Sequence, residues 1–577
     1  MNREEKMSKE TWTFNELKFP KPDLRAFVDM NEDAIRRVEE AQDGEGVLEV
    51  IFEHNQLLRR INDLLEVMFV KYSIDTTDEE YAEGYLWANE MSPLFEKARV
   101  EFYDVLYNSP YKSYIEERLG PMYFFKKDIS KKLFCEENIP LTQKEAELAA
   151  EYQKLIAECR VVIDGEERNF MELQRLFTHE DRKIRKEAFK AFSDFLKSVS
   201  GRLDEIWDEL IKIRNQMGIN LGYDNFLPVG YLKRGRVVYG QAEIENFRNQ
   251  VLKEIVPLCK KLFEAQGKRL GVDEVMAYDE TIFFPDGNAR PVGDEEYMWD
   301  QLVEMFRELS PETDEFIDFM LEHELIDKDS KRVGKAAREY ATIIESKKAP
   351  FVFSFFDGSA KSLKNIVGSM GHAFATYRSS RKQPIEEYYS SSADIMEIHV
   401  MSMTQFSNEY AERFFGEDAG KYEGYNLHDL MTFIPFGVAV DEFQHICYAN
   451  PDMTPKERNL AWRELEKKYM PWRKYDADDE FMENGGYWYH KQHIFLYPLY
   501  YIEYPFATIN AMEMYKKFVN HPGTAWQDYL ALADMGGSRG YLDTLKAANL
   551  TPPYQDGAVA KAIGFVKKVL EEYISDN

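Results

Sequence analysis

Helical periodicity constrains the fold of this chain more than any other feature of the sequence. From about residue 31 to residue 220, apolar residues recur at steps of three and four with charged faces between them, as in EAELAAEYQKLIAECR. Such spacing places the apolar side chains on one face of an α-helix, which is then buried against a neighbour. Hydrophobic residues make up 44% of the 577 residues, enough for a large core. The sequence therefore predicts a mainly α fold.

Two short segments interrupt the helical pattern and predict a small amount of β-structure. VVIDGEER at 161–168 combines a β-branched run with an Asp-Gly turn, which is typical of a hairpin. YATIIESKKAPFVFSFFDGS at 340–359 has two β-rich runs around a Lys-Lys turn and predicts a second hairpin. We expect this hairpin to lead into a helix that has Ser359 or Ser362 as its N-cap and runs to about Tyr377.

The clearest break between helical regions lies at 223–240. The stretch YDNFLPVGYLKRGRVVYG contains proline and several glycines and shows little helical period. This break predicts a boundary between lobes near 200–240. We therefore expect an N-terminal helical lobe at 1–200 and a second lobe at 201–577 that includes the C-terminal helices.

The charge of the chain argues against a nucleic-acid partner. The formal net charge is −30, whereas binding to a phosphate backbone needs clustered Lys and Arg. Such a charge is typical of a solvated acidic surface, and the alternative interpretation is a field that favours cationic ligands. We expect no nucleic acid among the partners.

The start of the chain and its cysteines favour a cytoplasmic protein without a membrane anchor. MNREEKMSKETW is charged from its second residue and has no apolar core of a secretory signal. The longest apolar run, LMTFIPFGVAV at 430–440, is shorter than the roughly 18 residues that a spanning helix needs. The four cysteines are far apart in sequence and form no C-x-x-C pair, which is consistent with a reducing compartment.

The stretch NIVGSMGHAF at 365–374 has half of a metal-binding pattern. In zinc-protease helices, His-Glu-x-x-His places two imidazoles one turn apart, and the Glu serves as the general base. Here His372 stands at the second His position, but Gly368 stands at the first and Ser369 at the position of the base. A buried helical stripe is predicted at Leu363, Ile366, Val367, Met370 and Phe374.

Several long segments occur in an order that is specific to one family. They are APFVFSFFDGS, GHAF, SADIMEIHVMSM, FIPFGVAVDEFQH, NPDMTPKERNLAWRELEKKYMPW and HIFLYPLYYIEY. On these segments the chain from about residue 200 onward resembles the oligoendopeptidase F and Pz-peptidase branch of the thimet-oligopeptidase family of zinc endopeptidases. The N-terminal half resembles the family more loosely, through its helical content and stretches such as GYDNFLPVGY.

This resemblance implies a zincin-like ellipsoid of two mainly helical lobes around a deep central channel that admits only unfolded oligopeptides. A small β-sheet would lie at the active-site cleft. The family's third zinc ligand is a glutamate on the following helix, which corresponds to Glu397 in MEIHVMSM. The resemblance thus implies that His372 and Glu397 are remnant metal ligands, and that one ligand and the base are absent at Gly368 and Ser369.

Two further segments depart from the family pattern. The family usually has Gly-Gly-Tyr-Cys where this chain has REYA at 338–341, and Asn-Phe-Asn-Gly-Thr where it has FFDGS at 355–359. In the family both segments flank the cleft. We therefore expect the substrate-binding edge to have changed together with the metal site.

A candidate group for holding substrate lies near the C-terminus. His493, Tyr497, Tyr500 and Tyr504 are spaced by four, three and four residues, which predicts one helical stripe unless Pro498 shifts the register. The resemblance implies that such His and Tyr side chains hold the substrate and donate hydrogen bonds to a developing oxyanion. The alternative is an aromatic packing stripe whose hydroxyls are satisfied within the protein.

The segment DEFQH contains half of another metal-binding pattern. Glu442 and His445 in DEFQH form a single Glu-x-x-His, which is half of a di-iron signature. No second copy occurs in the sequence, so this pattern predicts a helix whose polar groups line the cleft.

Together these observations predict a cytoplasmic oligoendopeptidase-like protein that binds oligopeptides and has lost zinc-dependent hydrolysis. We expect no cofactor at full occupancy, and zinc only if the site is rescued. One alternative is an active enzyme whose metal is held by His372, Glu397 and a recruited His399 or Asp357. The other is a regulatory subunit that associates with itself or pairs with an active paralogue.

Overall fold

The computed structural model of the protein describes residues 12–336 and 338–576. Residues 1–11, on which the expectation of no secretory signal depends, lie outside the described residues. The α-helices are α1 (Leu24–Glu40), α2 (Gly44–Ile74), α3 (Glu79–Asn108), α4 (Lys112–Leu119), α5 (Pro121–Leu133), α6 (Ile139–Ala157), α7 (Phe170–Arg175), α8 (Arg182–Asn220), α9 (Leu227–Lys233), α10 (Gln241–Gln250), α11 (Val256–Leu270), α12 (Glu295–Leu309), α13 (Pro311–Glu322), α14 (Ala360–Lys382), α15 (Ala393–Phe406), α16 (Ala411–Phe415), α17 (Ala419–Ala449), α18 (Pro455–Tyr469), α19 (Glu480–Glu483), α20 (Gln492–Leu496), α21 (Glu503–Asn520), α22 (Pro522–Met535), α23 (Tyr541–Ala547) and α24 (Ala558–Asp576). The predicted mainly α fold is confirmed.

Both predicted hairpins are present. The strands are β1 (Val161–Ile163), β2 (Glu166–Arg168), β3 (Ile326–Asp329), β4 (Tyr340–Ile344) and β5 (Ala349–Phe356). Strands β1 and β2 pair antiparallel across Asp164 and Gly165, whose φ angles of 52° and 78° suit the Asp-Gly turn. In the second sheet β5 lies between β3, to which it is parallel, and β4, to which it is antiparallel.

The structure divides into two compact units. The first unit comprises residues 12–120, Pro291–Ser390 and Ala533–Ser538, and it contains the three-stranded sheet and α14. Strand β5 is buried along almost its whole length, as expected for a central strand that packs against a helix. A separate apolar cluster, formed by Phe27, Leu58, Ile61, Phe95 and Ala98, joins helices α1, α2 and α3.

The long helices of the first unit begin at aspartate N-caps. Asp23 accepts the backbone N–H groups of Arg25 and Ala26, and Asp43 accepts the N–H of Gly46. Asp78 caps α3 in the same way. Each cap satisfies an N–H that has no partner within its helix and is worth about 1 kcal/mol.

The second unit comprises Pro121–Arg290, Ser391–Leu532 and residues 539–576. Helix α15 packs along α21, and α17 packs against α18 and α21. Both sides of the predicted boundary at residue 200 lie inside α8 of this unit, and α9 forms a helical turn within the segment 223–240, where little helix was expected. The assignment of residues 1–200 and 201–577 to separate lobes stays a prediction.

Helix α17 continues through Pro435, in the middle of the longest apolar run. Proline lacks an N–H, so the carbonyl of Met431 loses its usual helical donor. The thiol of Cys259 on α11 donates to that carbonyl at a distance of 3.4 Å. A side chain of a neighbouring helix therefore satisfies the backbone group that Pro435 leaves unpaired.

Among the helices that the structure describes, none combines the length and the apolar character that a membrane crossing requires.

Candidate functional site

Helix α14 carries the predicted half motif in the first unit. Ser359 is its N-cap, and its hydroxyl accepts the N–H of Ser362 at 3.3 Å. The helix continues past the predicted end at Tyr377 to Lys382. The predicted stripe is confirmed as buried at Leu363, Ile366, Val367, Met370 and Phe374. This packed face fixes the rotation of the helix and therefore the direction of the motif residues.

His372 lies one helical turn after Gly368, as the spacing predicts. Gly368 is buried, whereas Ser369 and His372 are partly exposed. Burial of the ring lowers the pKa of His372 to about 4, so that the imidazole is neutral at pH 7. A neutral imidazole can bind a metal, but Gly368 has no side chain to serve as the second ligand. Helix α14 thus presents one imidazole where the zinc-protease pattern has two.

Glu339 connects the divergent segment 338–341 to β5 and α14 through hydrogen bonds. Its Oε1 accepts the hydroxyl of Ser354 at 2.7 Å and the N–H of Phe355 at 3.2 Å, and its Oε2 accepts the amide of Asn365 at 2.8 Å. A single carboxylate therefore joins the segment before β4 to β5 and to α14. No sequence signal pointed to this residue.

The two groups considered as replacement ligands have other contacts. The carboxylate of Asp357 accepts the N–H of Ser359 at 3.0 Å and so shapes the turn before α14. The ring of His399 is buried and packs edge-on against Tyr529, with 5.2 Å between ring centroids. Their recruitment as ligands stays a prediction.

Glu397 lies on α15 in the second unit, and its side chain is almost fully buried. Its Oε1 accepts the hydroxyl of Tyr500 at 2.5 Å. Burial raises the pKa of Glu397 to about 8, while the hydrogen bond from Tyr500 acts to lower it. One oxygen of this carboxyl group therefore already accepts a hydrogen bond from a phenol.

The structure brings His493, Tyr497, Tyr500 and Tyr504 together, but the prediction of one helical stripe is wrong. Helix α20 ends at Leu496, and α21 begins only at Glu503. The chain between them turns at Leu499, which has a φ of 60°, because Pro498 cannot continue the helix. The four residues thus meet through a loop between two helices.

We call these four residues the His-Tyr cluster. The ring of His493 lies 5.8 Å from Tyr497, 6.2 Å from Tyr500 and 5.8 Å from Tyr504, measured between centroids. The hydroxyl of Tyr504 is 3.3 Å from Nε2 of His493. Burial lowers the pKa of His493 to about 3, so its ring is neutral. The cluster presents phenols and a neutral imidazole, which can donate and accept hydrogen bonds.

Two arginines of the segment after α9 contact the His-Tyr cluster or residues beside it in the chain. Arg236 forms a fully buried ion pair with Glu503 at 2.8 Å, and it also donates to the carbonyl of Leu499. The guanidinium of Arg234 lies 5.1 Å above the ring of Tyr500. Sequence reasoning missed these residues, although the cation-rich run KRGR is unusual in so acidic a chain.

The DEFQH segment does not form a paired metal site. His445 is buried, and its Nε2 is 2.6 Å from the hydroxyl of Tyr231. Glu442 instead accepts from Lys468 at 2.8 Å and from Tyr469. The two predicted polar groups of α17 therefore have different neighbours. That they line a cleft stays a prediction.

The described residues do not fit the zinc site that the resemblance implies. A catalytic zinc takes three protein ligands and keeps one position open. Within residues 12–336 and 338–576, no three His, Cys, Asp or Glu side chains form a group that could hold a metal ion. The donor set lacks an imidazole because Gly368 stands where the first histidine would be.

Two family profiles match the sequence. The profile described as Peptidase M3 N-terminal domain matches residues 14–134, and the profile Peptidase family M3 matches residues 319–564. No curated protein sequence matches the chain.

Solved structures match over nearly the whole chain. PZ peptidase A with an inhibitor is 37% identical, with 97% of this chain and 99% of that chain covered and a TM-score of 0.94. A protein assigned as oligoendopeptidase F is 38% identical, with the same coverage and TM-score. A protein from Bacillus anthracis str. Ames with the same assignment is 34% identical, with 97% and 98% covered and a TM-score of 0.89. The chain therefore belongs to peptidase family M3 and has the fold of an oligoendopeptidase.

Proposed function

We propose that this protein binds oligopeptides and does not hydrolyse them with zinc. The observation that carries the proposal is the composition of α14, where Gly368 and Ser369 take the positions of a metal ligand and a general base. His372 is the one imidazole that this part of the helix retains. Without the second ligand zinc is held weakly, and without the base a bound water has no local group to take its proton.

Peptide binding is supported by the side chains that the chain retains. The His-Tyr cluster combines partly exposed aromatic rings with hydroxyl and imidazole groups. Such surfaces bury apolar side chains of a ligand and also offer hydrogen bonds to its backbone. The net charge of −30 favours a peptide over a nucleic acid as the ligand.

The activity test uses internally quenched fluorescent octapeptides and the full chain. Purified protein is supplied with zinc and assayed with and without a chelator, beside an active member of the family as the positive control. We expect no chelator-sensitive cleavage by this protein. Cleavage at a rate comparable to the control would refute the proposal.

The binding test uses fluorescence anisotropy with a labelled octapeptide of Ala, Leu, Pro and Gly. We expect saturable binding whose affinity does not change when zinc or a chelator is added. A Tyr497→Ala variant removes an exposed ring of the His-Tyr cluster and should weaken binding. A Tyr107→Ala variant, which removes a similarly exposed tyrosine of α3, is the matched control. Absence of saturable binding would refute the peptide-binding part of the proposal.

Metal analysis separates this proposal from an active enzyme with a rearranged site. After gel filtration of the zinc-loaded protein, we expect much less than one zinc per chain. Stoichiometric zinc that is lost in a His372→Ala variant would favour the rearranged enzyme instead.

A further inference from the structure

The end of α9 and the segment that follows it contain three basic residues with different surroundings. Lys233 faces the carboxylate of Glu145 at 3.7 Å, and Arg236 is paired with the buried Glu503. Arg234 lies between them in sequence, and its guanidinium carbon lies over the ring of Tyr500, 5.1 Å from the ring centroid. Among the residues that the structure describes, no carboxylate lies within ion-pair distance of Arg234. This arginine therefore has an aromatic neighbour and forms no direct ion pair among these residues, although its charge also acts on the buried carboxylate of Glu503, which Arg236 already pairs.

The N–H donors of Arg234 are available to a ligand, because the guanidinium forms no hydrogen bond and no ion pair with the residues that the structure describes. A guanidinium is planar and carries five N–H donors around its edge, whereas its face is the part that contacts an aromatic ring. Arg234 is partly exposed, so that its donors remain accessible to a ligand. The edge of a guanidinium matches the two oxygens of a carboxylate.

The backbone that presents Arg234 is held firmly in place. The N–H of Arg234 donates to the carbonyls of Gly230 and Tyr231, and the N–H of Arg236 also donates to Tyr231. Gly235 has a φ of 71°, which allows the tight turn between the two arginines. A cation on an ordered turn loses little conformational entropy when it binds a ligand, so more of its interaction energy contributes to affinity.

The aromatic platform beneath Arg234 is also fixed. Tyr500 donates to Glu397 at 2.5 Å, and its ring lies 5.2 Å from the ring of Tyr504. Arg234 therefore stands at the Tyr500 side of the His-Tyr cluster, where the proposed peptide would bind. In a chain with a net charge of −30, a carboxylate approaches such a site only if a local cation offsets the overall repulsion.

We propose that Arg234 binds a carboxylate of the oligopeptide ligand, and this inference rests on the peptide-binding function proposed above. The carboxylate is either the C-terminus of the peptide or an acidic side chain, because both present the same two oxygens. Arg234 would make the protein selective for peptides that carry a negative charge near the residues that contact the His-Tyr cluster.

The experiment compares four fluorescein-labelled octapeptides of Ala, Leu, Pro and Gly by anisotropy. The first pair differs only in a free or amidated C-terminus. The second pair is amidated and differs in one internal Glu or Gln. The proteins are the natural chain, Arg234→Met, Arg234→Lys and the control Lys233→Met. Methionine keeps an apolar stem on Tyr500 and removes the charge.

We expect the natural chain to bind the charged member of at least one pair roughly tenfold more tightly than the neutral member. Arg234→Met should bind both members with the affinity that the natural chain has for the neutral peptide. That retained affinity also shows that the variant is folded. Arg234→Lys should keep a smaller preference, because it retains the charge and loses the planar fork. Lys233→Met should keep the full preference.

The two peptide pairs identify the source of the carboxylate. Preference within the first pair assigns the site to the peptide C-terminus, and preference within the second pair assigns it to an acidic side chain. Equal binding within both pairs, or a preference that persists in Arg234→Met, would overturn the inference and leave the proposed function intact. If no peptide binds at all, the proposed function fails and the inference fails with it.

Discussion

The hydroxyl of Tyr500 donates to Oε1 of Glu397 at 2.5 Å, although the two residues are 103 positions apart in the sequence. Only 6% of Glu397 is exposed, so solvent cannot readily replace this donor. The bond joins the loop before α21 to α15. It occupies a carboxyl oxygen of the residue that the resemblance assigns to the metal.

Removing this hydroxyl should destabilise the protein. Tyr500→Phe leaves a buried carboxyl oxygen without its donor, which costs about 1–3 kcal/mol. The free energy of unfolding, measured by urea titration with tryptophan fluorescence, should fall by that amount. Tyr504→Phe is the matched control, because the hydroxyl of Tyr504 makes a long 3.3 Å contact with His493 and no other hydrogen bond within the described part of the chain. Equal losses in the two variants would contradict the importance of the Glu397 bond.

Restoring the missing groups on α14 should increase zinc affinity. A Gly368→His/Ser369→Glu variant recreates two imidazoles one turn apart. A structural zinc site binds the ion with a free energy of about 10–16 kcal/mol. Divided among four ligands, this gives about 3 kcal/mol for one more ligand, which corresponds to more than about 100-fold in affinity. Competition with a fluorescent zinc chelator measures this change. A Gly368→Ala/Ser369→Ala variant should bind zinc no better than the natural chain, and equal affinities of the two variants would count against the assignment of the motif.

The buried pair of Arg236 and Glu503 should be sensitive to loss of one partner. Arg236→Met leaves a buried carboxylate without its cation and should lower the free energy of unfolding by about 3–5 kcal/mol. Replacing both, as Arg236→Met/Glu503→Leu, should recover most of that loss because no charge is then buried alone. Urea titrations of the single and double variants give the coupling energy. Additive losses would show that the pair does not act as a unit.

The stability of the first unit should depend on pH through Glu66. This residue of α2 is partly buried and accepts the hydroxyl of Thr342 on β4 at 2.6 Å. The pKa of Glu66 is raised to about 7, mainly by burial and to a smaller extent by the nearby Asp63, while the hydrogen bond from Thr342 acts to lower it. The folded protein therefore holds this proton more tightly than the unfolded chain does. The resulting stabilisation is fully present below the unfolded value of about 4.5 and is lost as the pH rises through about 7.

Glu66→Gln should remove this dependence, because an amide cannot ionise and still accepts from Thr342. We expect the variant to be more stable than the natural chain by about 3 kcal/mol at about pH 8.5, and by less than about 1 kcal/mol at about pH 5. Urea midpoints at the two pH values measure the effect. Glu49→Gln, which alters an exposed residue of the same helix, is the matched control. A stabilisation of Glu66→Gln that is equal at both pH values would exclude ionisation as the cause.

Sequence patterns correctly predicted those parts of the fold that depend on interactions between residues close together in the chain. The Asp164-Gly165 turn and the hairpin leading to Ser359 follow from turn chemistry and strand propensity. The buried stripe of α14 follows from its spacing of apolar residues. These features depend on residues that are close together in the chain.

Parts of the candidate site that depend on distant contacts were not predictable. Arg236 and Glu503 are 267 positions apart, and no periodicity links them. The stripe from His493 to Tyr504 was predicted from spacing alone, but a loop through Leu499 replaces the helix there. The rings still contact each other because α20, α21 and the loop between them bring them together. This is a tertiary contact that the spacing of residues in the sequence does not predict.

The chemical reactivity of Cys259 can report the rate at which α11 separates from α17. Its thiol is buried, and it donates to the carbonyl that Pro435 leaves without a helical partner. Burial also raises the pKa of this thiol, so the reactive thiolate is scarce while the contact persists. A small alkylating reagent can therefore modify Cys259 only during moments when the two helices part. The rate of its modification can be followed by mass spectrometry of the peptide that contains Cys259. This rate reports how often α11 separates from the proline-containing helix α17.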